Sequence, residues 1–344
     1  MKNMSDYKHI DNSSRNKTLI VVEGDLEKNS ILKTILLCFP EIPVKYEDIQ
    51  IFSSDVYDLY HSIEMEYGEE WFEDELSIDL PYLISRRLKI EPHLDRRNYT
   101  NIILMFDYEH HDVWYSDEKI MKMQKHFNNA SEDGLLYINY PMIESLFHFN
   151  KIPDEDYCSR LISVKCKPGR KYKNLVKTES EIQKYLMLFN EMAACLKKRT
   201  SLDEQSIGLY VEKLLSIKSI SEVELVVEMI SSETGLSKCE VVNLKYTLEA
   251  KLKKCSFIQR SITYWDDLKN LILYIAKENI KKAYMIQNIG KKDNNIAIQE
   301  QYELLDWEEV LKQQNKLSAD SEEGIIYILC TCMTFLGEYK FCWK

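Results

Sequence analysis

The sequence predicts an α/β fold: a parallel sheet flanked by helices, followed by a mainly α-helical C-terminal domain. Two short apolar runs carry this prediction, Leu19 to Val22 and Ile102 to Phe106. Neither run alternates with polar residues, which is typical of strands buried on both faces of a parallel sheet. Strand-like and helix-like segments then alternate along the first half of the chain, as expected for right-handed βαβ crossovers.

The individual elements of the α/β region follow from the same patterns. Gly24 marks a turn after the first strand, and the residues that follow place their apolar side chains on one helical face. Pro141 comes just after the last strand and favours the first position of a further helix. A helix is also expected over 116–128, and strands are predicted over 18–22, 49–53, 101–106 and 135–138.

A change of texture near residue 160 sets the predicted domain boundaries. We expect a polar N-terminal arm over 1–17 and an α/β domain over 18–160. The mainly helical C-terminal domain then covers 161–344 and begins with a basic segment. Helical periodicity dominates from Thr178 to Ile289, whereas the apolar stretch over 324–339 fits a strand or a helix equally well.

Composition narrows the class of protein. The 344 residues are 45% hydrophobic and 29% charged, as in ordinary globular domains. No apolar run approaches the ~20 residues that span a bilayer, and the N-terminus lacks a secretory signal, so we expect a cytoplasmic protein without membrane contact. The nine cysteines show no zinc-binding spacing, which favours reduced thiols. A net charge of −11 argues against non-specific coating of nucleic acid but permits a local basic track.

Acidic residues directly follow two of the predicted strands. Glu23 ends the first strand, and Asp107 and Glu109 end the central one. Ligands gather at the carboxyl ends of parallel strands, and converging carboxylates repel one another unless a cation lies between them. The pattern therefore predicts a site for Mg²⁺ or Mn²⁺ and, with it, phosphoryl chemistry. Three further acids lie close in sequence or at the end of the last strand: Glu27, Asp112 and Glu144.

Each of these features also has a simpler interpretation. Glu23 and Glu144 could be acids at a helix N-terminus, and Asp107 with Glu109 could serve only the loop. The segment Val164 to Lys177 holds six basic residues and no acid, and it suits either substrate phosphates or a solvated surface. Residues 64–79 carry eight acids and no base; such a run is most often a solvated face and less often a docking surface for a basic partner.

Taken in order, the strand-end acids resemble the TOPRIM domain, a metal-dependent catalytic fold of topoisomerases, bacterial primases and OLD-family nucleases. The family has Glu-Gly after the first strand and Asp-x-Asp after a later one. This chain has Glu23-Gly24 and Asp107-Tyr108-Glu109, with Glu in place of the second Asp. The resemblance covers residues 18–150. The sequences EGDLE and NYPMIES are similar to TOPRIM nuclease subunits of ATPase-linked anti-phage systems of the PARIS type.

The resemblance implies a metal-dependent nuclease of DNA or RNA, transfer RNA included, that acts as a toxic effector in anti-phage defence. Glu23 would be a metal ligand or general acid/base, and Asp107 and Glu109 would be metal ligands. Position adds Glu144 as a catalytic acid and Glu27 and Asp112 as reserve ligands. The resemblance also implies a partner ATPase of ABC or AAA type and leaves room for a homodimer. The basic track would hold substrate phosphates through Lys165, Lys167, Arg170, Lys171 and Lys173.

Two other function classes fit the same sequence. A primase-like nucleotidyl transferase would use the same acids, although the sequence contains no zinc-binding module. A non-catalytic binding or inhibitor protein would dock through the acidic run at 64–79, and its strand-end acids would bind no metal. The sequence contains no GxxxxGK[ST] loop, so any ATP hydrolysis would belong to a partner.

Overall fold

The computed structural model of the chain describes residues 17–72, 77–164, 168–291, 296–320, 322, 324–339 and 343. These residues group into two compact units. One unit combines residues 14–180 with 273–344 and contains both sheets, and the other is built on residues 181–272. The sequence placed 161–344 in one domain, whereas compactness groups 161–180 and 273–344 with the α/β region.

The α/β unit is built around a five-stranded sheet of order β2-β1-β3-β5-β4. Neighbouring strands are parallel except for the β4–β5 pair, and β6 and β7 form a separate antiparallel pair. The predicted α/β class with a mostly parallel sheet is confirmed. The strands are β1 Thr18–Val22, β2 Ile49–Ile51, β3 Asn101–Asp107, β4 Asn128–Asn129, β5 Gly134–Asn139, β6 Leu161–Ser163 and β7 Ile325–Tyr327.

Helices connect these strands and complete the unit. A π-helical segment, Glu27–Leu32, leads into α1 after β1, and 3₁₀ helices occupy Tyr46–Asp48, Arg96–Asn98, Ile143–Phe147 and Thr331–Tyr339. The α-helices in chain order, through both units, are α1 Lys33–Cys38, α2 Val56–Tyr67, α3 Leu80–Leu88, α4 Asp117–His126, α5 Pro168–Glu179, α6 Glu181–Leu186, α7 Leu188–Arg199, α8 Glu204–Ser216, α9 Val223–Thr234, α10 Lys238–Leu252, α11 Ser256–Arg260, α12 Tyr264–Gln287, α13 Ile298–Glu303 and α14 Trp307–Asp320.

Both faces of the central strands are buried, which explains their uninterrupted apolar sequence. Every residue of β1 is buried, and so is every residue of β3 after Asn101. Alternate residues of these strands pack with α2, α4 and α14 in one core that also includes Trp71. Burial on this scale, at roughly 25 cal/mol per Å² of apolar surface, is what fixes the position of the strand ends.

The segment after β5 differs from the predicted helix at Pro141. Tyr140 pairs with Leu329 in an isolated antiparallel bridge, so the chain stays extended there. The residue before a proline also disfavours the helical region. The helix that follows is a 3₁₀ turn that starts at Ile143, two residues later than Pro141.

The apolar C-terminal stretch, which the sequence left open between strand and helix, contains both. Strand β7 pairs with β6, and the 3₁₀ helix Thr331–Tyr339 packs against β5. Cys330, just before this 3₁₀ helix, and Cys332, within it, are buried free thiols with their Sγ atoms 3.4 Å apart. This pairing of β7 with β6 is what brings the end of the chain back to the α/β unit.

The unit built on residues 181–272 is wholly helical among its described residues. Its helices bury apolar stripes at helical spacing, such as Leu244, Leu248 and Leu252 on α10. The helical periodicity predicted from Thr178 to Ile289 is thus confirmed. Among all described residues, no helix has both the length and the apolar composition that a membrane crossing requires.

We expect Gly337→Ala to lower the free energy of unfolding by about 1–3 kcal/mol. A Cβ on Gly337 would lie 2.6 Å from the ring of Tyr302, which is too close for the ring to stay in place. Gly208→Ala on α8 is the matched control, since its Cβ would meet no described atom within 4 Å. Alanine at that helical position should be neutral or stabilise by up to ~1 kcal/mol. Urea denaturation of both variants measures the difference, and equal effects would contradict the proposed contact.

Candidate metal centre

The pairing of β1 with β3 brings the predicted strand-end acids to one edge of the sheet. Val22, the last residue of β1, lies opposite Met105 in parallel register, and β3 continues from there to Asp107. The backbone N–H of Asp107 donates a hydrogen bond to Glu23 Oε2 over 3.1 Å. One carboxylate oxygen from each of Glu23, Asp107 and Glu109 lies within 4.8 Å of the others. We call these three residues the acidic triad.

The third member of the triad is placed by the turn that follows β3. Glu109 has a φ of +41°, which is uncommon for a residue other than glycine. The turn is closed by a hydrogen bond from the Asp112 N–H to the Glu109 carbonyl, 2.9 Å long. On the other side, the buried Tyr108 hydroxyl donates to Asn315 Oδ1 over 2.7 Å. The chain therefore leaves the strand in a fixed conformation at the residue that completes the triad.

The carboxyl group of Asp107 is oriented by two donors from the neighbouring strand and its extension. Its Oδ1 accepts the Ile143 N–H at 2.8 Å and a longer bond, 3.4 Å, from Asn139 Nδ2. Asn139 lies directly opposite Asp107 in the β3–β5 register. These bonds hold an otherwise repelled carboxyl group in the cluster, so its position does not depend on a single contact.

The pKa values of all three acids of the triad are raised. Burial raises the pKa of Glu23 to about 8, with further increases from Glu109 and other nearby acids, although the Asp107 N–H works against the shift. Burial and the charge of Glu23 hold the pKa of Asp107 well above its usual range. Burial also raises the pKa of Glu109, opposed by His111. Without a cation, these carboxyl groups are therefore difficult to ionise. Carboxylate oxygens are the ligands that a divalent cation such as Mg²⁺ prefers, and its charge would favour their ionised form.

Two of the additional acids predicted from the sequence lie beside the triad. Glu27 is buried, and its Oε2 lies 3.4 Å from the position that a Cβ on Gly24 would take. Glu144 is also buried; its Oε1 contacts Lys173 Nζ at 3.1 Å. The other oxygen, Oε2, has no hydrogen-bond partner among the described residues. The structure therefore brings both acids to the site but outside the triad.

Asp112, the other reserve ligand, has a local role in the loop. Its Oδ1 accepts the Trp114 N–H at 2.7 Å, and it lies outside the triad. Asp55 is an acid that sequence reasoning missed. It follows β2 and caps α2 by accepting the N–H groups of Tyr57 and Asp58 at 2.9 Å each. The signal that could have found it was the position just after the predicted strand at 49–53.

Two cavities meet at this edge of the sheet, and they share Glu109 and Lys173. The first, the acidic cavity, has a volume of about 530 Å³ and contains the triad. The second, the basic cavity, has a volume of about 480 Å³. The acidic cavity is also lined by Gly24, Asp25, Leu26, Glu27, Ser53, Ser54, Asp55, Ile143 and Glu144. The basic cavity is also lined by His111, Met142, Gly169, Arg170, Asn174 and Lys177.

The basic track predicted for substrate phosphates is divided by the structure. Arg170 and Lys173 line the basic cavity, together with Lys177 one turn further along α5. Lys171 is exposed on the same helix and lines neither cavity. Two other members, Lys165 and Lys167, lie outside the described residues. The positive charge of Lys173 is favoured by Glu144, Asp107 and Glu27, which raise its pKa although burial acts against it.

The two histidines after the triad point to different surroundings. His111 Nε2 lies 3.2 Å from Glu109 Oε2, and His111 lines the basic cavity. His110 packs against the ring of Tyr115, with the ring centres 4.2 Å apart. Within the acidic run at 64–79, Glu66 forms an ion pair with Arg86, and Glu64 lies 3.1 Å from His61 Nδ1. Residues 73–76 of that run lie outside the described residues.

Comparison of the chain with protein-family models, curated proteins and solved structures gives no match in any of the three. The site must therefore be interpreted from the chemistry of its own residues. That chemistry is specific in one respect: a carboxylate triad adjoins a cavity whose wall carries three cationic side chains.

We expect Asp107→Asn to stabilise the metal-free protein. A carboxyl group whose pKa is raised in the folded state destabilises the protein as the pH rises from the ordinary Asp value towards the raised one, because the unfolded state ionises first. Asparagine removes that loss and still offers an oxygen to the Ile143 N–H. In EDTA at about pH 8 the variant should therefore have the higher midpoint of thermal unfolding, and the two midpoints should converge as the pH falls towards the ordinary Asp value of 3.8.

Added Mn²⁺ should raise the midpoint of the wild type and leave Asp107→Asn unchanged. Glu118→Gln is the control, because Glu118 on α4 has a mostly exposed carboxylate paired with Lys122. That variant should respond to Mn²⁺ as the wild type does. An equal response of Asp107→Asn would exclude Asp107 as a ligand.

Proposed function

We propose that this protein is a metal-dependent nuclease with a TOPRIM-type catalytic domain. The observation that carries the proposal is the joint wall of the two cavities. Glu109 belongs to the triad and Lys173 to the basic helix, and both residues line both cavities. A site of this kind pairs a place for a divalent cation with a place for phosphate, which is what phosphodiester hydrolysis needs. The order of the strand-end acids, Glu-Gly and then Asp-x-Glu, adds the TOPRIM resemblance.

Glu23, Asp107 and Glu109 would hold the metal ion. When bound, Mg²⁺ or Mn²⁺ would supply charge stabilisation and an activated water for attack on the phosphate. Asn139 and the Ile143 N–H keep Asp107 oriented for this role. Groups that hydrogen-bond to a metal-binding carboxylate in this way commonly determine how tightly the metal is bound.

Lys173 is the residue best placed to act on the substrate's charge. Its ammonium group contacts Glu144 and lines both cavities, so a positive charge lies between the acid cluster and the basic wall. A fixed cation at such a point stabilises negative charge that develops on a phosphate or leaving oxygen. His111, in contact with Glu109, can hold or deliver a proton at the same boundary.

The proposed substrate is a nucleic acid bound through its backbone. Arg170 and Lys177 offer cationic groups on the basic cavity wall, next to Lys173. The chain as a whole has a net charge of −11, so binding would be confined to this local positive surface. DNA and RNA, including transfer RNA, present the same backbone chemistry to such a wall.

We extend the proposal to the biological setting implied by the resemblance. The nuclease would be a toxic effector of an anti-phage system and would work with an ABC- or AAA-type ATPase. The sequence has no GxxxxGK[ST] loop, so ATP hydrolysis would reside in that partner. Cleavage by the purified chain alone therefore tests the chemistry separately from its control.

We expect the purified chain to cut nucleic acid with Mg²⁺ or Mn²⁺ and to be inactive in EDTA. Glu23→Ala and Asp107→Ala should each lower the rate by about a hundredfold or more, because the charge that stabilises the transition state is lost with the ion. The assay would offer supercoiled DNA, total RNA and transfer RNA in parallel, so that it also identifies the substrate.

Glu118→Ala is the matched control for these two variants, since it removes an exposed acid of the same unit. It should keep the wild-type rate. Circular dichroism would verify that all variants fold. Full activity of folded Asp107→Ala would contradict the proposed metal centre.

We expect Lys177→Ala to weaken nucleic-acid binding several-fold and to lower the slope of affinity against salt by about one charge. Lys171→Ala removes the same charge from the same helix but away from both cavities. It should have a clearly smaller effect. Fluorescence anisotropy at several salt concentrations measures both, and equal losses would show that the charge of α5 acts without regard to the cavity.

A further inference from the structure

We propose that Trp114 is a stacking platform for an unpaired base, so that the substrate is bound in single-stranded form. This inference rests on the proposed nuclease function and adds a substrate class to it. It concerns the loop that leaves the acidic triad, from Glu109 to the start of α4. The proposal depends on the exposure of Trp114, the rigidity of its loop and the charges around it.

Trp114 and its neighbour are apolar residues held out in solvent. Trp114 is 55% exposed and Val113 is 88% exposed. By comparison, Trp71 in the same unit is completely buried in the core. Exposing a large aromatic side chain forgoes the burial energy that such residues normally contribute. A pair of exposed apolar side chains beside an acid cluster is therefore best explained by a ligand that covers them.

The loop that carries Trp114 is internally hydrogen-bonded. The Asp112 N–H donates to the Glu109 carbonyl, the Trp114 N–H to Asp112 Oδ1, and the Tyr115 N–H to the Asp112 carbonyl. Ser116 then caps α4 by accepting the Lys119 N–H. The backbone of the platform is thus ordered before a ligand binds, so little conformational entropy would be lost on binding.

The surroundings of Trp114 combine aromatic and cationic groups. The ring of His61 lies edge-on with its centre 5.0 Å away, and Lys119 Nζ lies 5.7 Å from the indole centre. More than half of Trp114 stays exposed beside these two groups. Lys119 could also contact the backbone phosphate of a base stacked on the indole. Aromatic rings interleaved with cations are the usual surface for single-stranded nucleic acid.

Trp114 is close enough to the basic cavity to bind the same strand. It follows His111, a lining residue of that cavity, by three positions. Three peptide units span at most about 11 Å, a distance that a few nucleotides cover. The strand whose phosphates lie on Arg170 and Lys177 could therefore place a neighbouring base on the indole. This proximity to a polycationic wall favours a nucleic acid over an apolar protein segment as the occupant.

Only an unpaired base can use such a platform. In a duplex both faces of each base are already stacked, whereas loops and single strands can splay a base onto an aromatic ring. We therefore expect tighter binding of a single-stranded oligonucleotide than of the duplex with the same sequence. The preference should come from Trp114 and not from the basic cavity.

The test is fluorescence anisotropy with labelled single-stranded and duplex oligonucleotides, with EDTA present to prevent cleavage. Trp114→Ala should weaken single-strand binding about tenfold and leave duplex binding nearly unchanged. Trp114→Phe should retain most of the affinity, because phenylalanine still offers a ring. Tyr246→Ala is the control, since Tyr246 on α10 is an exposed aromatic residue of the other unit.

Three results would count against the inference in different ways. Unchanged single-strand binding by folded Trp114→Ala, with metal-dependent cleavage still present in the wild type, would remove the platform and leave the nuclease intact. No binding of either oligonucleotide by the wild type, together with no cleavage, would overturn both proposals. A loss in Trp114→Ala that Trp114→Phe does not restore would also count against stacking.

Discussion

The parallel pairing of β1 with β3 is the constraint on which the site depends. It brings the carboxyl ends of the two strands to the same edge of the sheet and lets the Asp107 N–H donate a hydrogen bond to the Glu23 carboxylate. Burial of these carboxyl groups, together with the charges of the neighbouring acids, raises the pKa values of both and opposes folding with the groups ionised. The buried residues of β1 and β3 supply the offsetting energy, since each strand is covered on both faces. The acid cluster thus lowers the free energy of unfolding, and a cation bound there would raise it again.

The cationic wall is positioned by a different set of contacts. His148 is buried below α5, with Nδ1 3.1 Å from the Tyr172 hydroxyl and Nε2 2.9 Å from Glu179 Oε2. Both partners belong to α5, so the helix is fixed at two points along its length. Lys173, next to Tyr172, is thereby directed toward Glu144. Glu144 lies on the 3₁₀ helix whose first residue, Ile143, donates its N–H to Asp107. The acids are positioned by the strands and the cations by α5. Packing and hydrogen bonds of these separate elements therefore keep the two sets of charges in place.

How far the sequence could predict this arrangement depends on whether the signal was local. The triad could be predicted because uninterrupted apolar runs identify buried strands and the acids come immediately after them. Asp55 was missed because β2 is only three residues long and the acid also serves as a helix cap. The return of β7 to β6 depends on a pairing across more than 160 residues of chain, which no local pattern encodes. The same holds for the division of α5 into cavity-lining and outward-facing cations, since one face of a helix is chosen only by its packing.

The two cavities share a wall, and this has a consequence for how they work together. Lys173 and Glu109 line both, so an ion or phosphate in one cavity changes the field in the other. A cation held by the triad would lower the pKa values that burial has raised and leave the carboxylates charged. It would also compete with Lys173 for the acids, which would leave the lysine more available to an incoming phosphate. Binding of a cation and binding of a polyanion would then reinforce each other, because each offsets the charge that opposes the other. An acidic protein can bind a nucleic acid at such a point because the local balance of charge, and not the net charge, determines the interaction.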